Sequence, residues 1–191
     1  MADRRGRATG RLGVKRGEHY ALLPEELMAS TAYCALPDWA KVVLFALASR
    51  FNGHNNGNLS LPWSEARHRG ISAPWKLYAG LRVLEKTDLV HCTRRGRLER
   101  GMKIPSLYAL TWRGIDNCER IAFDEGVARS PIPSNAWAKW IKPPDWEQVF
   151  KQINRTARGR KKSHTIADGS NHTTMDGAMT MKTTPPVMAK G

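Results

Sequence analysis

The chain lacks most of what would mark a metalloprotein, a secreted scaffold or a membrane protein. It has three cysteines, Cys34, Cys92 and Cys118, an odd number with no CxxC pair. That argues against a disulfide framework and against zinc-ligand spacing, and it fits a reducing, cytosolic compartment. No apolar run approaches the roughly 18 residues that a membrane helix needs. The basic N-terminus has no apolar segment behind it, so it does not read as a secretory signal. Catalytic signatures are also missing: there is no P-loop, GxGxxG, HExxH or GxSxG motif. The histidines, His19, His54, His68, His91, His164 and His172, are scattered. No acid–base arrangement can be built from them. The expectation is a protein with no catalytic activity of its own, no metal and no cofactor.

Negative charge is scarce too. Lys and Arg number 31 against 17 Asp and Glu, a formal net charge of +14. Such an excess points to a polyanionic partner, most often nucleic acid. The excess comes in blocks. Residues 1–20 carry six basic and two acidic side chains, residues 61–112 ten and four, and residues 151–191 eight and two. The stretches 21–60 and 113–150 are each one charge negative. Basic surfaces also keep proteins soluble, but solubility alone does not require blocks.

The N-terminus mixes Arg with Gly (Arg4, Arg5, Gly6, Arg7, Gly10, Arg11) and has almost nothing to bury. Residues 1–18 are expected to be a disordered basic arm. Residues 155–191, rich in Thr, Ser, Met, Gly and Lys without aromatics, are expected to be a disordered tail. Between them, a domain over 19–115 and a helical extension over 116–154 are expected.

Within the domain, Pro24, Glu25 and Glu26 suit a helix first turn, with the helix running to about Ala35. Asp38 is a candidate N-cap for the clearest helix. Trp39, Val43, Leu47 and Phe51 form one row, and Leu36, Ala40, Leu44 and Ala48 a parallel one, which together make a core face. The helix should stop at Asn52-Gly53. Leu59-Ser60-Leu61 reads as a short strand, Trp63 to Arg69 as a second helix closed by Gly70. A third helix is capped by Ser72 or Ala73, carries Pro74 in its first turn, and buries Leu77, Leu81 and Leu84. Leu89 to Thr93 and Leu107 to Trp112 read as strands joined by a basic loop.

This order, with Arg67-His68-Arg69-Gly70-Ile71-Ser72, then Leu81-Arg82-Val83-Leu84-Glu85 and Leu89-Val90, resembles the winged helix-turn-helix domain of bacterial, phage and mobile-element DNA-binding proteins. The Asn52-Gly53 and Asn55-Asn56-Gly57 turn resembles replication-initiator types in particular. The resemblance covers about half the chain. Its one departure is Thr87-Asp88, where many such helices end in Gly. It implies an α+β fold, mainly α with a small β-hairpin, flanked by the two basic tails. It also implies sequence-specific binding of double-stranded DNA, in replication initiation or transcription regulation, in the cytoplasm on the nucleoid.

The residues themselves allow the same function. On the third helix, Trp75, Ala79, Arg82 and Lys86 fall opposite the leucine face, flanked by Lys76 and Tyr78. A helix fits the major groove of B-DNA. Arg82 is the candidate for guanine, Lys76 and Lys86 for phosphates, Ser72 for a phosphate at the helix start, and Trp75 for stacking or wedging. Arg67 and Arg69 would contact DNA from the preceding helix. Arg94, Arg95, Arg97, Arg100 and Lys103 would form the wing, reaching phosphates or a narrow minor groove. The bland alternatives are a solvated helix face and a hairpin charged against edge aggregation. The run Lys151 to Lys162 would add sequence-independent affinity or be only a solvated tail.

The extension is rich in aromatics. Ser134 is a candidate cap for a helix holding Trp137, Trp140 and Ile141, and Asp145 for another holding Trp146, Val149, Phe150 and Ile153. The plain expectation is that this amphipathic stripe completes the core. The alternative is an adaptor in which Trp137, Trp140, Trp146 and Phe150 dock a replication or transcription protein, or a second copy in a homodimer. An RNA-binding basic protein is the remaining alternative.

Overall fold

The computed structural model describes residues 21–118 and 121–159. The expected arm, and residues 160–191 of the expected tail, lie outside the described residues. What is described is a mixed α+β fold with two small antiparallel sheets.

The first predicted helix is two short ones, α1 (Glu25–Met28) and α2 (Thr31–Cys34). Ser30 breaks it by capping α2: its Oγ accepts from the Tyr33 amide at 3.2 Å and donates to the Leu27 carbonyl at 2.6 Å. Helix α3 (Asp38–Ala48) follows. Asp38 is not its cap; Pro37 holds that position and makes no capping bond. Asp38 lies in the first turn, where a negative charge suits the helix dipole. The two predicted rows of α3 face inward. Ala40, Val43, Leu44 and Leu47 are fully buried, and Trp39 and Phe51 pack against the core at its edges.

Next come α4 (Trp63–Ala66) and a 3₁₀ turn (Arg67–Arg69), closed by Gly70 in the left-handed region at φ 85°. Helix α5 (Pro74–Lys86) starts from Ala73 with Pro74 in its first turn. It buries Leu77, Leu81 and Leu84. It crosses α3 so closely that a Cβ on Gly80 would sit 2.8 Å from Val43 Cγ2. Glycine is therefore required at that crossing.

The exit from α5 does without glycine. Asp88 takes the left-handed conformation itself, at φ 55°, a role short polar side chains tolerate. Thr87 is fully buried, and its hydroxyl is within bonding distance of the Val83 and Leu84 carbonyls. Strands β1 (Val90–Arg94) and β4 (Leu107–Leu110) pair antiparallel, with an irregularity between Cys92 and Arg94. On the other edge of β4, Leu59 exchanges two backbone hydrogen bonds with Tyr108, at 3.1 and 2.8 Å. The predicted strand at Leu59 to Leu61 is thus a single bridge.

The predicted loop between the strands has structure of its own. β2 (Arg97–Glu99) pairs with β3 (Met102–Ile104) across the two-residue turn Arg100-Gly101. Both turn residues have positive φ, 48° and 78°, as a type I′ hairpin requires.

Asn56 organises the junction after α3. It is fully buried. Its Nδ2 donates to the carbonyls of Leu110, Arg113 and Gly114, and its Oδ1 accepts from the Leu110 amide at 2.7 Å. The Asp116 carboxylate accepts from the Asn56 backbone amide.

In the extension, residues Ala136–Lys139 form only a 3₁₀ turn, and Ile141 is 82% exposed, so no helix spans Trp137 to Ile141. Asn135, not Ser134, stands at the cap position. Helix α6 (Trp146–Gly159) runs past the expected boundary at 154. Its charged second half, Lys151 to Arg158, is helical.

Candidate nucleic-acid interface

Helix α6 lies along α5, on the stripe expected to face DNA. Trp75 is half-buried, with Trp39, Arg158 and Lys76 around its ring. Its ring meets Trp39 edge-on at 5.8 Å, and the Arg158 guanidinium stands 4.4 Å above it. Trp39 in turn stacks on Phe150 of α6 at 6.0 Å. Ala79 is fully buried, as is nearly all of Ala157. Ala79 therefore does not face solvent and cannot let DNA approach. The small side chain serves the packing of one helix on another. Trp75 is engaged by side chains of the chain itself rather than standing free. Of this stripe, Arg82 and Lys86 remain exposed, and Tyr78 is half-buried.

Arg82 is not a lone cation. Its Nη1 lies 3.3 Å from Glu85, whose carboxylate also receives both Nη atoms of Arg95 at 2.8 Å. The side chain of Glu85 is only 13% exposed. This carboxylate draws Arg95, just after β1, and Arg82 of α5 to one point. The Arg95 pKa is raised, chiefly by the Glu85 hydrogen bond. Charge counting along the sequence does not single out Glu85. Its position three after Arg82 is the available signal.

The other cations of the predicted basic loop fall into three groups. Arg94 is half-buried, and its Nε is shielded without a hydrogen-bond partner. Arg97 is bound to Glu99 at 3.0 Å and lies 3.8 Å from Asp124. Arg100 and Lys103 are exposed and enter no ion pair among the described residues. Beside them Leu98 and Met102 are 70% and 63% exposed.

Ahead of α5, Arg67 donates to its neighbour His68, and Arg69 donates to the Ser49 hydroxyl at 2.6 Å. Both are exposed. Ser72 is exposed at the start of α5, and Lys76 reaches back to its hydroxyl at 2.8 Å.

The aromatic side chains of the extension are engaged within the chain. Trp146 is only 4% exposed and meets Trp140 edge-on at 5.2 Å. Trp140 Nε1 donates to the Lys86 carbonyl at 2.8 Å, satisfying one of the last acceptors of α5. Trp137 and Phe150 are partly buried against the core. Trp146 is thus not available to dock a partner, and the other three are already packed on this chain.

Two grooves result. One, of about 420 Å³, separates the basic hairpin from α5 and is lined by Trp63, Tyr78, Arg82, Arg95 and Lys103. The other, of about 460 Å³, lies between α5 and α6 and is lined by Tyr78, Arg82, Lys86, Gln152 and Thr156 among others. They share Tyr78 and Arg82, so they adjoin. Among the described residues no three His, Cys, Asp or Glu side chains are placed to hold a metal ion. No described helix is long and apolar enough to cross a membrane. Burial raises the Cys92 and Cys118 thiol pKa values, which favours thiol over thiolate. No family model, curated protein or solved structure matches the chain.

Proposed function

We propose that the chain binds double-stranded DNA as a winged helix-turn-helix protein, without a cofactor and without chemistry of its own. Its setting is replication initiation or transcription control in a bacterium, phage or mobile element, on the nucleoid. The observation that carries the reading is the basic hairpin beside α5, with Arg82, Arg95 and Lys103 on the rim of the groove between them. Arg100 and Lys103 project from the hairpin without ion pairs among the described residues. Such side chains suit phosphate contacts, whose strength comes from counterion release. Arg67 and Arg69 add cations ahead of α5.

The test is selection and sequencing from a duplex DNA pool across a salt series, with single-stranded DNA and structured RNA as competitors. The expected result is an enriched duplex motif. The double variant Arg100→Ala/Lys103→Ala should weaken binding evenly across sequences. It should lower the salt slope by about one for each phosphate no longer neutralised. Preference for RNA or single strands at equal salt overturns the reading.

A further inference from the structure

With Trp75 and Ala79 of the α5 stripe covered, the exposed surface adjoining Arg82 and Lys86 is that of α6. Its apolar stripe, Trp146, Val149, Phe150, Ile153 and Ala157, turns inward. Its other side exposes Lys151, Gln152, Arg155 and Thr156. No acidic side chain follows Glu147 in the helix, and Glu147 faces Lys142 at 3.5 Å. Arg158 is anchored over Trp75. All four line one shallow depression on the outer side of α6, and of them only Gln152 and Thr156 also line the groove shared with Arg82.

Neutral hydrogen-bonding groups flanked by cations suit a helix that reads DNA. An amide side chain pairs bidentately with adenine, a hydroxyl takes either donor or acceptor, and cations grip the flanking phosphates. B-DNA's major groove, about 12 Å wide, admits a helix, whereas the deep, narrow groove of A-form RNA does not. We propose that α6, not α5, is the helix that enters the major groove of duplex DNA. Gln152 and Thr156 meet base edges alongside Arg82, and Lys151 and Arg155 meet phosphates. The inference rests on the DNA-binding reading above and assigns its base-reading element. Helix α5 then serves as the platform that carries both α6 and the hairpin.

Four full-length proteins decide it in the same selection and salt series: wild type, Gln152→Ala, Lys151→Ala/Arg155→Ala and Arg100→Ala/Lys103→Ala. All substituted side chains are exposed, and thermal melting checks that each variant keeps its fold. Gln152→Ala should flatten the preference at one base position by about tenfold and leave the salt slope unchanged. Lys151→Ala/Arg155→Ala should weaken all sequences evenly and lower the slope by about two. If the hairpin variant weakens binding while both α6 variants keep motif and slope, the proposal is overturned and the DNA-binding reading stands. A changed slope for the lysine–arginine variant with an unchanged Gln152→Ala motif also overturns it, leaving α6 as a phosphate clamp. If wild type binds no duplex, the DNA-binding reading itself fails, a different result from either.

Discussion

The two halves of one hairpin differ sharply. At its base, β4 is buried throughout: Leu107, Tyr108, Ala109 and Leu110 are at most 6% exposed. At its tip, every residue of β2 is exposed, and Leu98 keeps 70% of its surface in solvent. The base is held by core packing and by Asn56; the tip rests on a tight turn and on ion pairs with Glu99 and Asp124. Exposed ion pairs contribute little, about 0–1 kcal/mol. Stability should therefore be concentrated in the base, leaving the tip free to carry charge for a ligand. Four substitutions test that division.

The largest effect is expected inside the base. Leu110→Ala should cost about 2–5 kcal/mol in chemical denaturation, because the cavity forms in a packed core. A cost under about 1 kcal/mol would mean that the base is looser than its burial suggests. Next, Asn56→Asp should cost about 3 kcal/mol in the same assay, since unpaired buried acceptors are expensive. It keeps the acceptor but removes the Nδ2 donor that serves three carbonyls. It also brings a carboxylate towards Asp116.

A pH series separates Tyr108 from its surroundings. Burial raises its phenol pKa from 10.0 to about 12. The phenol is held neutral in the fold, so its contribution is complete below about pH 10 and is lost as pH climbs through about 12. Wild type should lose about 2 kcal/mol more than Tyr108→Phe between about pH 9 and 12. Equal losses would assign the alkaline sensitivity to other groups. At the tip, Leu98→Ala should change stability by about 0.5 kcal/mol or less, the usual range for exposed sites. A clear loss there would erase the contrast between the two halves.

Much of this fold was legible in the sequence because it followed a single period. The rows of α3 and the stripe Leu77, Leu81 and Leu84 are regular, and Gly70 and Pro74 punctuate the turn between helices. What was hidden depended on residues far apart in the chain. Trp75, Ala79, Arg82 and Lys86 form an outward stripe on α5 taken alone; α6, about 70 residues later, packs against the first two. Periodicity reports that a face is distinct from the leucine face, not what lies against it. The hairpin tip was hidden for a different reason. Its turn uses Arg100 with Gly101 rather than the Asn-Gly or Asp-Gly pair that signals such a turn. The cations of the candidate interface were legible as charge, but the carboxylate of Glu85 that gathers Arg82 and Arg95 was not.

The Asn56 junction also bears on chemical ageing. The chain holds two Asn-Gly pairs, Asn52-Gly53 and Asn56-Gly57. Asparagine before glycine is prone to deamidate, because the next backbone nitrogen can attack the side-chain carbonyl with little steric hindrance. Asn52 is exposed, and its side chain makes a single hydrogen bond, accepting from the His54 amide at 3.0 Å. The Asn56 side chain is immobilised by four hydrogen bonds to the chain around it. Peptide mass spectrometry of stored protein should find aspartate and isoaspartate accumulating at residue 52 while residue 56 stays asparagine. Comparable conversion at both would mean that the junction opens on the timescale of storage. The bonds that fix the base of the hairpin would thus also set its shelf life, and unfolding would start the clock at residue 56.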